Sequence, residues 1–492
     1  MRAPEKKKGR RIAPPIISAR LSPHIALEAL PDGNIFACFD GHSVGLGMFS
    51  AGAADRAQDL RTGLPLGSLA PDGRAVEKEI DLLVRRLARR GLLEYRFGHS
   101  RDDKDAVVIE PQVPDYWPRT PKLGDTEIIV LSRFAYLRRR GNEMVLESPR
   151  AGALFRICDP KIAAVVAVLS APQKISRLRR QEGFPGMELL ALLVDCQILF
   201  KIDAASGDGL RPAEGDDNLV LWDFHDLLFH THSTEGRQAN PLGGLYPYAG
   251  LISPLPAVRP RWPGKKIDLR KFPAPSQTAS PVTATLSERH STRDFDDQQP
   301  ITLAELSRFL DGTARVRSKW KSRVDFGDGG PDVEYAARPY PSGGGAYELE
   351  LYLAVANCEG LARGFYHYDA DRHALVPIEV RAQELEAMLV AAKFAMDAPA
   401  APQILITIAA RFGRTAWKYT SIAYALILKD VGVLIQTLYM VATDMGLGGC
   451  AIGSTNIDLF AKMTAIEFHI EGPVGQFAVG RGRKLGATAA HS

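Results

Sequence analysis

Along the first two hundred residues, hydrophobic and polar positions run through one order twice. "RLSPHIALEALPDGNIFACFDG" (20–41) and "VLSRFAYLRRRGNEMVLESPRAG" (130–152) each show a β-type run, a Gly-Asn pair (Gly33–Asn34, Gly141–Asn142) and a second β-type run, which predicts a hairpin in each. Each copy closes alike. "EIDLLVRRLARRGLLEYRF" (79–97) and "ELLALLVDCQILFKI" (188–202) carry helical apolar spacing into a short strand, so that Leu87, Leu92 and Leu93 correspond to Leu193, Ile198 and Leu199. The opening Leu-Ser pairs are offset by 110 residues and the closing segments by 106, which predicts a tandem duplication. A hairpin, two or three helices and a closing strand read as a winged-helix-like unit, over 19–105 and again over 122–203. Such a unit offers an open strand edge to an extended peptide, or a helix to DNA.

The next stretch, 204–275, is rich in Pro and Gly, as in "NPLGGLYPYAGLISPLPAVRPRWPGKK", and reads as a long irregular connector. It includes "WDFHDLLFHTH", where His225, His230 and His232 match no strong metal-ligand spacing, so they are expected to be surface histidines with no metal. From 276 to 492 the pattern is mixed. "AYELELYLAVANCEG" and "PQILITIAARFG" read as strands, and "TLAELSRFLDGT" as a short helix with a Thr N-cap and a Gly near its end. "SIAYALILKDVGVLIQTLYMVATDMG" (421–446) is long enough to span a bilayer, but Lys429, Asp430, Gln436 and Asp444 make insertion costly, and a buried central helix is expected. This half reads as an α+β domain.

Composition narrows the class. The chain has 492 residues, 46% apolar and 24% charged, with net charge +4, which fits a multidomain globular protein and not a nucleic-acid binder. The "RRLARR" run reads as a solvated helix face. The basic leader "MRAPEKKKGRRI", placed in a disordered tail over 1–18, lacks the apolar core of a signal peptide. Five separate cysteines, Cys38, Cys158, Cys196, Cys358 and Cys450, form no C-x-x-C pair; all but Cys38 sit in apolar runs and read as core residues. A reducing, cytoplasmic location is expected, with no membrane association.

Four segments of the last domain concentrate chemistry. "SERHSTRDF" (287–295) places Arg289 and Arg293 around Ser291, a set suited to one phosphate, or else a polar turn. "RPYPSGGGAYELELY" places Pro341, Ser342, Gly343, Gly344 and Gly345 before a strand, where amides can approach a flat ligand. "DMGLGGCAIGS" brings Gly446, Gly448 and Gly449 to the end of the long helix; a helix C-cap accounts for one of them. "AVGRGRK" sets Arg481 and Arg483 on one side of an extended chain.

These segments resemble a known family. "ERHSTRDFD" and "GRGRK" are similar to the two phosphate-gripping ends of the FMN-dependent nitroreductase fold. "RPYPSGGGAYELELYL" with "AWKYTSIAYALILKDVGVLIQTLYMVATDMGLGGCAIGS" resembles the SagB/McbC-type azoline dehydrogenases, and the doubled N-terminal unit is similar to the peptide-recognition domains of cyanobactin-type members. One departure is Gly345-Ala346, where related chains often carry a larger apolar residue.

The resemblance implies an FMN enzyme. It would oxidise thiazolines or oxazolines to thiazoles or oxazoles in a ribosomally made precursor peptide. Arg289, His290, Ser291, Arg293, Pro341, Ser342, Gly343, Gly344, Gln436, Gly446, Leu447, Gly448, Gly449, Arg481 and Arg483 would border the cofactor. Lys418 and Tyr419 would remove the ring proton while hydride passes to flavin N5. It further implies a homodimer, a cyclodehydratase partner that makes the azoline, and oxygen as the flavin's oxidant. Competing readings are an NAD(P)H-dependent nitro- or quinone reductase, a non-catalytic peptide-binding scaffold and, last, a DNA-binding regulator.

Overall fold

The doubled pattern folds as two copies of one element order. The computed structural model describes residues 16–39, 42–69, 73–98, 105–181, 183–202, 214, 217–234, 251, 256–258, 280–324, 331–419 and 421–483; most of the 1–18 tail and of the 204–275 connector lies outside them. Contacts divide the chain into two units, Met1–His232 and Ser233–Ser492. In the first unit, one copy runs β1 (Ile16–Leu21), β2 (Ala26–Ala29), β3 (Asn34–Phe39), β4 (His42–Met48), α1 (Ala51–Ala57), β5 (Leu64–Pro65), α2 (Ala75–Arg89) and β6 (Leu93–Gly98). After β7 (Val107–Pro111), the other runs β8 (Ile128–Leu131), β9 (Tyr136–Arg140), β10 (Glu143–Glu147), β11 (Ala153–Ile157), α3 (Pro160–Val168), β12 (Gln173–Lys174), α4 (Ile175–Leu178), α5 (Met187–Asp195) and β13 (Leu199–Ile202).

Pairing repeats as well as order. β1 lies between β5 and β6, and β8 lies between β12 and β13. The backbone of Ser22 donates to the Leu92 carbonyl (3.1 Å) and that of Ser132 to Ile198 (2.9 Å); Leu92 donates to Leu87 (3.1 Å) and Ile198 to Leu193 (2.9 Å). Both helix-to-strand corners turn through a left-handed residue, Gly91 (φ 64°) in one copy and Gln197 (φ 56°) in the other.

β7 unites the copies. It pairs with β6 on one side and β11 on the other, making one seven-stranded sheet in the order β5-β1-β6-β7-β11-β10-β9. Tyr95, Phe97, Ile109 and Phe155 fill its apolar face and are fully buried. A ladder of alternating charge crosses the strands. Arg20 donates to Glu94 (2.6 Å), while Arg156 reaches Glu94 (3.0 Å), Glu110 (2.9 Å) and Glu143 (3.2 Å), and Arg140 reaches Glu110 (2.7 Å). Glu94 is 3% exposed, so its charge depends on these partners.

The arginines of "RRLARR" are engaged as well as wet: Arg85 pairs with Asp81 (2.9 Å) and covers the Trp117 ring. Helices α6 (Asp217–Val220) and α7 (Phe224–Ser233) follow, and here a surface expectation is corrected. His230 is fully buried, stacked on Trp222 at 5.8 Å, because α7 turns that face inward.

The second unit is a sheet between helices. Its elements are α8 (Pro281–Glu288), α9 (Leu303–Ala314), the hairpin β14 (Ser318–Arg323) and β15 (Asp332–Ala337), β16 (Leu349–Val355), β17 (Gly364–Asp369), β18 (Ala374–Ile378), α10 (Ala382–Met396), β19 (Ile404–Arg411), α11 (Phe412–Ala416), α12 (Ala423–Asp444), β20 (Gly448–Ile452), α13 (Ile457–Thr464) and β21 (Glu471–Gly480). Six strands pair in the antiparallel order β18-β17-β16-β19-β21-β20. β16 and β19 are central, so they are buried on both faces instead of alternating with water. Tyr352, Ala354, Leu405 and Ala409 face α10 and α13. α12 packs against β20, β21 and α9.

The α+β class expected from the sequence is the observed one. Among the described residues α12 is the helix long and apolar enough to cross a membrane (mean hydropathy 1.6), and its stripe of Tyr424, Ile427, Val431, Leu434, Leu438 and Ala442 is buried in the unit. The short helix has the expected Thr302 N-cap and Gly312 near its end at Ala314, and Gly312 lies against Val441, where a Cβ would come within 3.3 Å. One cysteine expectation fails. Cys158 is exposed beyond the end of β11, while Cys196, Cys358 and Cys450 are buried.

The charge ladder yields a test. Arg156→Ala removes one of the two cations on the buried Glu94 and is expected to cost roughly 1–3 kcal/mol in chemical denaturation. Arg138→Ala, which removes an exposed cation from the half-buried Glu147 (2.7 Å), is expected to cost less than about 1 kcal/mol.

Candidate functional site

Two groups of the singled-out residues converge, and α12 touches both. The first group forms where the segment after α8 runs beside the C-terminal end of β21. Thr292 N–H donates to the Gly449 carbonyl (2.8 Å), Asp296 N–H to Arg481 (2.8 Å) and Arg483 N–H to Asp294 (3.0 Å), with Phe295 paired to Gly482. "SERHSTRDF" and "GRGR" are therefore neighbouring strands of one junction. The glycines opposite them leave room for this approach. A Cβ on Gly448 would lie 2.6 Å from the Thr292 side chain, and one on Gly449 would collide with the Phe477 ring.

Gly446 has a separate reason. It is the left-handed cap of α12 (φ 67°), with Leu447 N–H bonded to Ala442 (2.8 Å) and Gly446 N–H to Thr443 (3.0 Å), a Schellman end that also buries Leu447.

Tyr439, on α12, is the hub of this junction. Its hydroxyl accepts from Ala451 N–H (2.8 Å) and lies 2.9 Å from Ser291 Oγ, while the Arg289 guanidinium covers its ring at 5.2 Å. Arg293 is exposed close to Cys450, whose thiol is pushed up by burial against the pull of that cation. His290 is exposed, its Nδ1 3.0 Å from the Glu288 carbonyl.

The two C-terminal arginines differ. Arg481 is held by both oxygens of Glu305 (2.7 Å each), the N3 residue of the α9 capping box. Burial tends to raise the Glu305 carboxyl, but Arg481 and the Thr302 donors outweigh it and hold it below its ordinary value. Arg483 is 59% exposed and 3.7 Å from Asp294. Among the described residues, Arg289 and Arg293 have no carboxylate partner and Arg483 has the loose Asp294 contact, so the junction gathers three arginines on the segments that carry Ser291 and the end of β21. That donor set suits a dianion such as a phosphate.

The second group lies at the other end of α12. The loop Pro341–Gly345 passes over Leu426 and Asp430, and Gly343 N–H donates to Asp430 Oδ2 (2.8 Å). Gly344 and Gly345 both have positive φ (60° and 66°), which brings the Gly344 carbonyl to 3.3 Å from Lys418 Nζ. The positive φ favours glycine at 344, and a Cβ there would collide with Tyr419 Oη and lie 2.8 Å from Lys418 Nζ, so a side chain would displace the ends of that pair. Lys418 is exposed and Tyr419 half-buried, so this pair opens to solvent. Asp430 and Tyr439 are nine residues apart, about 13–14 Å along the helix axis. Gln436 lies between them but on the exposed face of α12.

Sequence reasoning singled out neither Tyr439, Thr292, Glu305 and Glu348 nor a site role for Asp430. Their partners lie far away in sequence, and the one local signal is the capping box Thr302-x-x-Glu305.

Tyr439→Phe leaves the Ala451 N–H without its acceptor and frees Ser291, and is expected to cost roughly 1–3 kcal/mol in denaturation. Ser291→Ala keeps the Ala451 bond and is expected to cost less. A neutral Tyr439→Phe contradicts the hub.

Residues 286–481 match the nitroreductase family, and residues 129–239 match the family of the cyanobactin oxidase ThcOx. Over 171 residues the chain is 32% identical to "Putative nitroreductase MJ1384" of Methanocaldococcus jannaschii, which spans 34% of this chain and 76% of that protein. Over 151 residues it is 25% identical to the trifolitoxin-processing protein TfxB of Rhizobium leguminosarum bv. trifolii, spanning 30% of this chain and 40% of that one. A similar solved structure is the E. coli microcin synthetase McbBCD complex with truncated pro-MccB17 bound, with 20% identity, TM-score 0.36, and coverage of 51% of this chain and 85% of that chain. The chain belongs to the nitroreductase family of oxidoreductases, and it joins to that domain a stretch similar to the cyanobactin oxidase ThcOx.

Proposed function

We propose that this chain is an FMN-dependent dehydrogenase that oxidises thiazoline or oxazoline rings of a ribosomally made peptide to thiazoles or oxazoles. The observation that carries the reading is the convergence of Lys418 and Tyr419, in the turn ahead of α12, on Gly344, with the arginine junction held by Tyr439 further along that helix. The ThcOx match and the similarity to the trifolitoxin-processing protein support a peptide as substrate.

The residues present fit FMN. Arg289, Arg293 and Arg483, with Ser291, would hold the phosphate, each charge-assisted contact contributing roughly 1.5–3 kcal/mol where water is excluded. Arg481, tied to Glu305, would orient the strand that carries Arg483. Pro341–Gly344 would lie against the ring system, whose chemistry, once bound, is to accept the hydride. Lys418, at 3.3 Å from the Gly344 carbonyl, and Tyr419 would take the proton from the azoline carbon. The tandem N-terminal copies, read as winged-helix-like peptide-recognition units, would grip the peptide by strand addition.

The exposed face of α12, with Ala425, Gly432, Val433 and Gln436, and the exposed Val282 and Leu286 of α8 suit a second copy of the chain, so a homodimer belongs to the proposal. A cyclodehydratase must supply the azoline, and oxygen would return the flavin to its oxidised form. The similarity to MJ1384 favours a second reading, an NAD(P)H-dependent nitro- or quinone reductase.

With an azoline-bearing peptide, the purified FMN-loaded protein is expected to remove two hydrogen masses per ring. Lys418→Ala is expected to stay yellow and to be slower by roughly 10²–10⁴-fold. Equal rates in the two proteins contradict the role of Lys418. Bleaching of the flavin by NAD(P)H with no peptide oxidation favours the reductase.

A further inference from the structure

Two carboxyl groups lie beneath the Gly-rich loop. Glu348 is fully buried and Asp430 is 7% exposed, and among the described residues no cation pairs with either. Ser342 Oγ lies between them, 2.9 Å from Asp430 Oδ2 and 3.3 Å from Glu348 Oε2, while accepting from Tyr347 N–H (2.9 Å). One hydroxyl has one proton to give. Asp430 Oδ2 also accepts from Gly343 N–H (2.8 Å), whereas Glu348 Oε1 has no hydrogen-bond partner. Two buried carboxylates this close, without a cation, are not both ionised at neutral pH. Asp430 Oδ2 has two donors while Glu348 Oε1 has none, so of the two Glu348 is the one placed to keep a proton.

We infer that Glu348 and Asp430 form a proton-sharing pair that positions Lys418 and Tyr419 through the Ser342–Gly345 loop. The inference rests on the assignment of those two residues under Proposed function. Displacement of the loop reaches them directly, because the Gly344 carbonyl accepts from Lys418 Nζ and Gly344 fits against Tyr419 Oη. The ionisable neighbours are Tyr340 and Tyr347 on the same segment, Arg338 and Glu350, which lie 3.6 Å from each other, Arg411 and Arg414 around α11, and Lys418 and Tyr419 across the loop. Arg414 is bonded to the Ala346 carbonyl, and Arg411 lies 3.8 Å from Glu350.

Burial, aided by the Asp430 charge, pushes the Glu348 carboxyl up from 4.5 to about 7. Its contribution to stability is therefore fully present below about 4.5 and is lost as pH rises through about 7. Above that point the carboxylates repel and the loop loosens. Glu348→Gln replaces the acid proton with an amide N–H that no longer titrates.

The test is carbon NMR of the glutamate-labelled, FMN-loaded full chain, with amide exchange at Gly343–Gly345 and peptide oxidation followed across the same pH range. One glutamate carboxyl is expected to titrate near 7, to vanish in Glu348→Gln and to move down in Asp430→Asn. Loop exchange and the alkaline fall in activity are expected to follow that midpoint in wild type and to flatten in Glu348→Gln. Glu348→Ala, which leaves Asp430 without its partner, is expected to lower kcat by up to roughly 100-fold across the range. The inference is overturned if no glutamate titrates above its ordinary range, or if Glu348→Gln keeps the wild-type pH dependence. If titration and exchange behave as expected and no azoline is oxidised, the pair stands and the functional reading falls.

Discussion

Both halves of the site are referred to α12, because two of its buried polar side chains, Asp430 and Tyr439, bond segments far from the helix in sequence. The helix itself is held by apolar burial against β20, β21 and α9, which is non-directional and says nothing about ligands. Hydrogen bonding adds the direction. Asp430 fixes the loop at 341–345, and Tyr439 fixes Ser291 and the start of β20. Since a helix is a rigid ruler, the spacing between loop and arginine junction is set by the nine residues between these two side chains.

Electrostatics then separates the arginines by role. Glu305 neutralises Arg481 and thereby anchors the C-terminal strand, leaving Arg289 and Arg293 with charge to offer and Arg483 with only a loose contact to Asp294. The Lys418–Tyr419 end differs in kind. It gathers one exposed cation, a phenol and a backbone carbonyl over a buried carboxyl pair, an arrangement suited to moving protons more than to holding an anion. The two ends of α12 therefore differ in charge: a cluster of arginines at one, a carboxyl pair beneath a lysine and a tyrosine at the other.

Much of this was legible in the chain where the signal is local. The hairpins, the repeated helix-to-strand corners at Leu92 and Ile198, the strands β16 and β19 and the long helix all follow from period and turn residues within a few positions. What is read poorly depends on partners distant in sequence. β7 is a short apolar run between the two repeats and gains its meaning only by pairing with both. Tyr439 and Ser291 are 148 residues apart, and Ser342 and Asp430 are 88 apart, so neither pair leaves a local pattern. Asp430 was visible only as a charge that a membrane helix would not carry. His230 and Cys158 show the converse, since a polar run and an apolar run do not say which way one side chain turns.

The most direct measurement is a titration of the full chain with FMN and, separately, with riboflavin, followed by flavin fluorescence, in wild type, Arg293→Ala and Arg483→Ala. If the junction holds the phosphate, each variant weakens FMN by about tenfold or more and leaves riboflavin unchanged. Equal losses for both ligands, or no binding of FMN to wild type, would contradict the account.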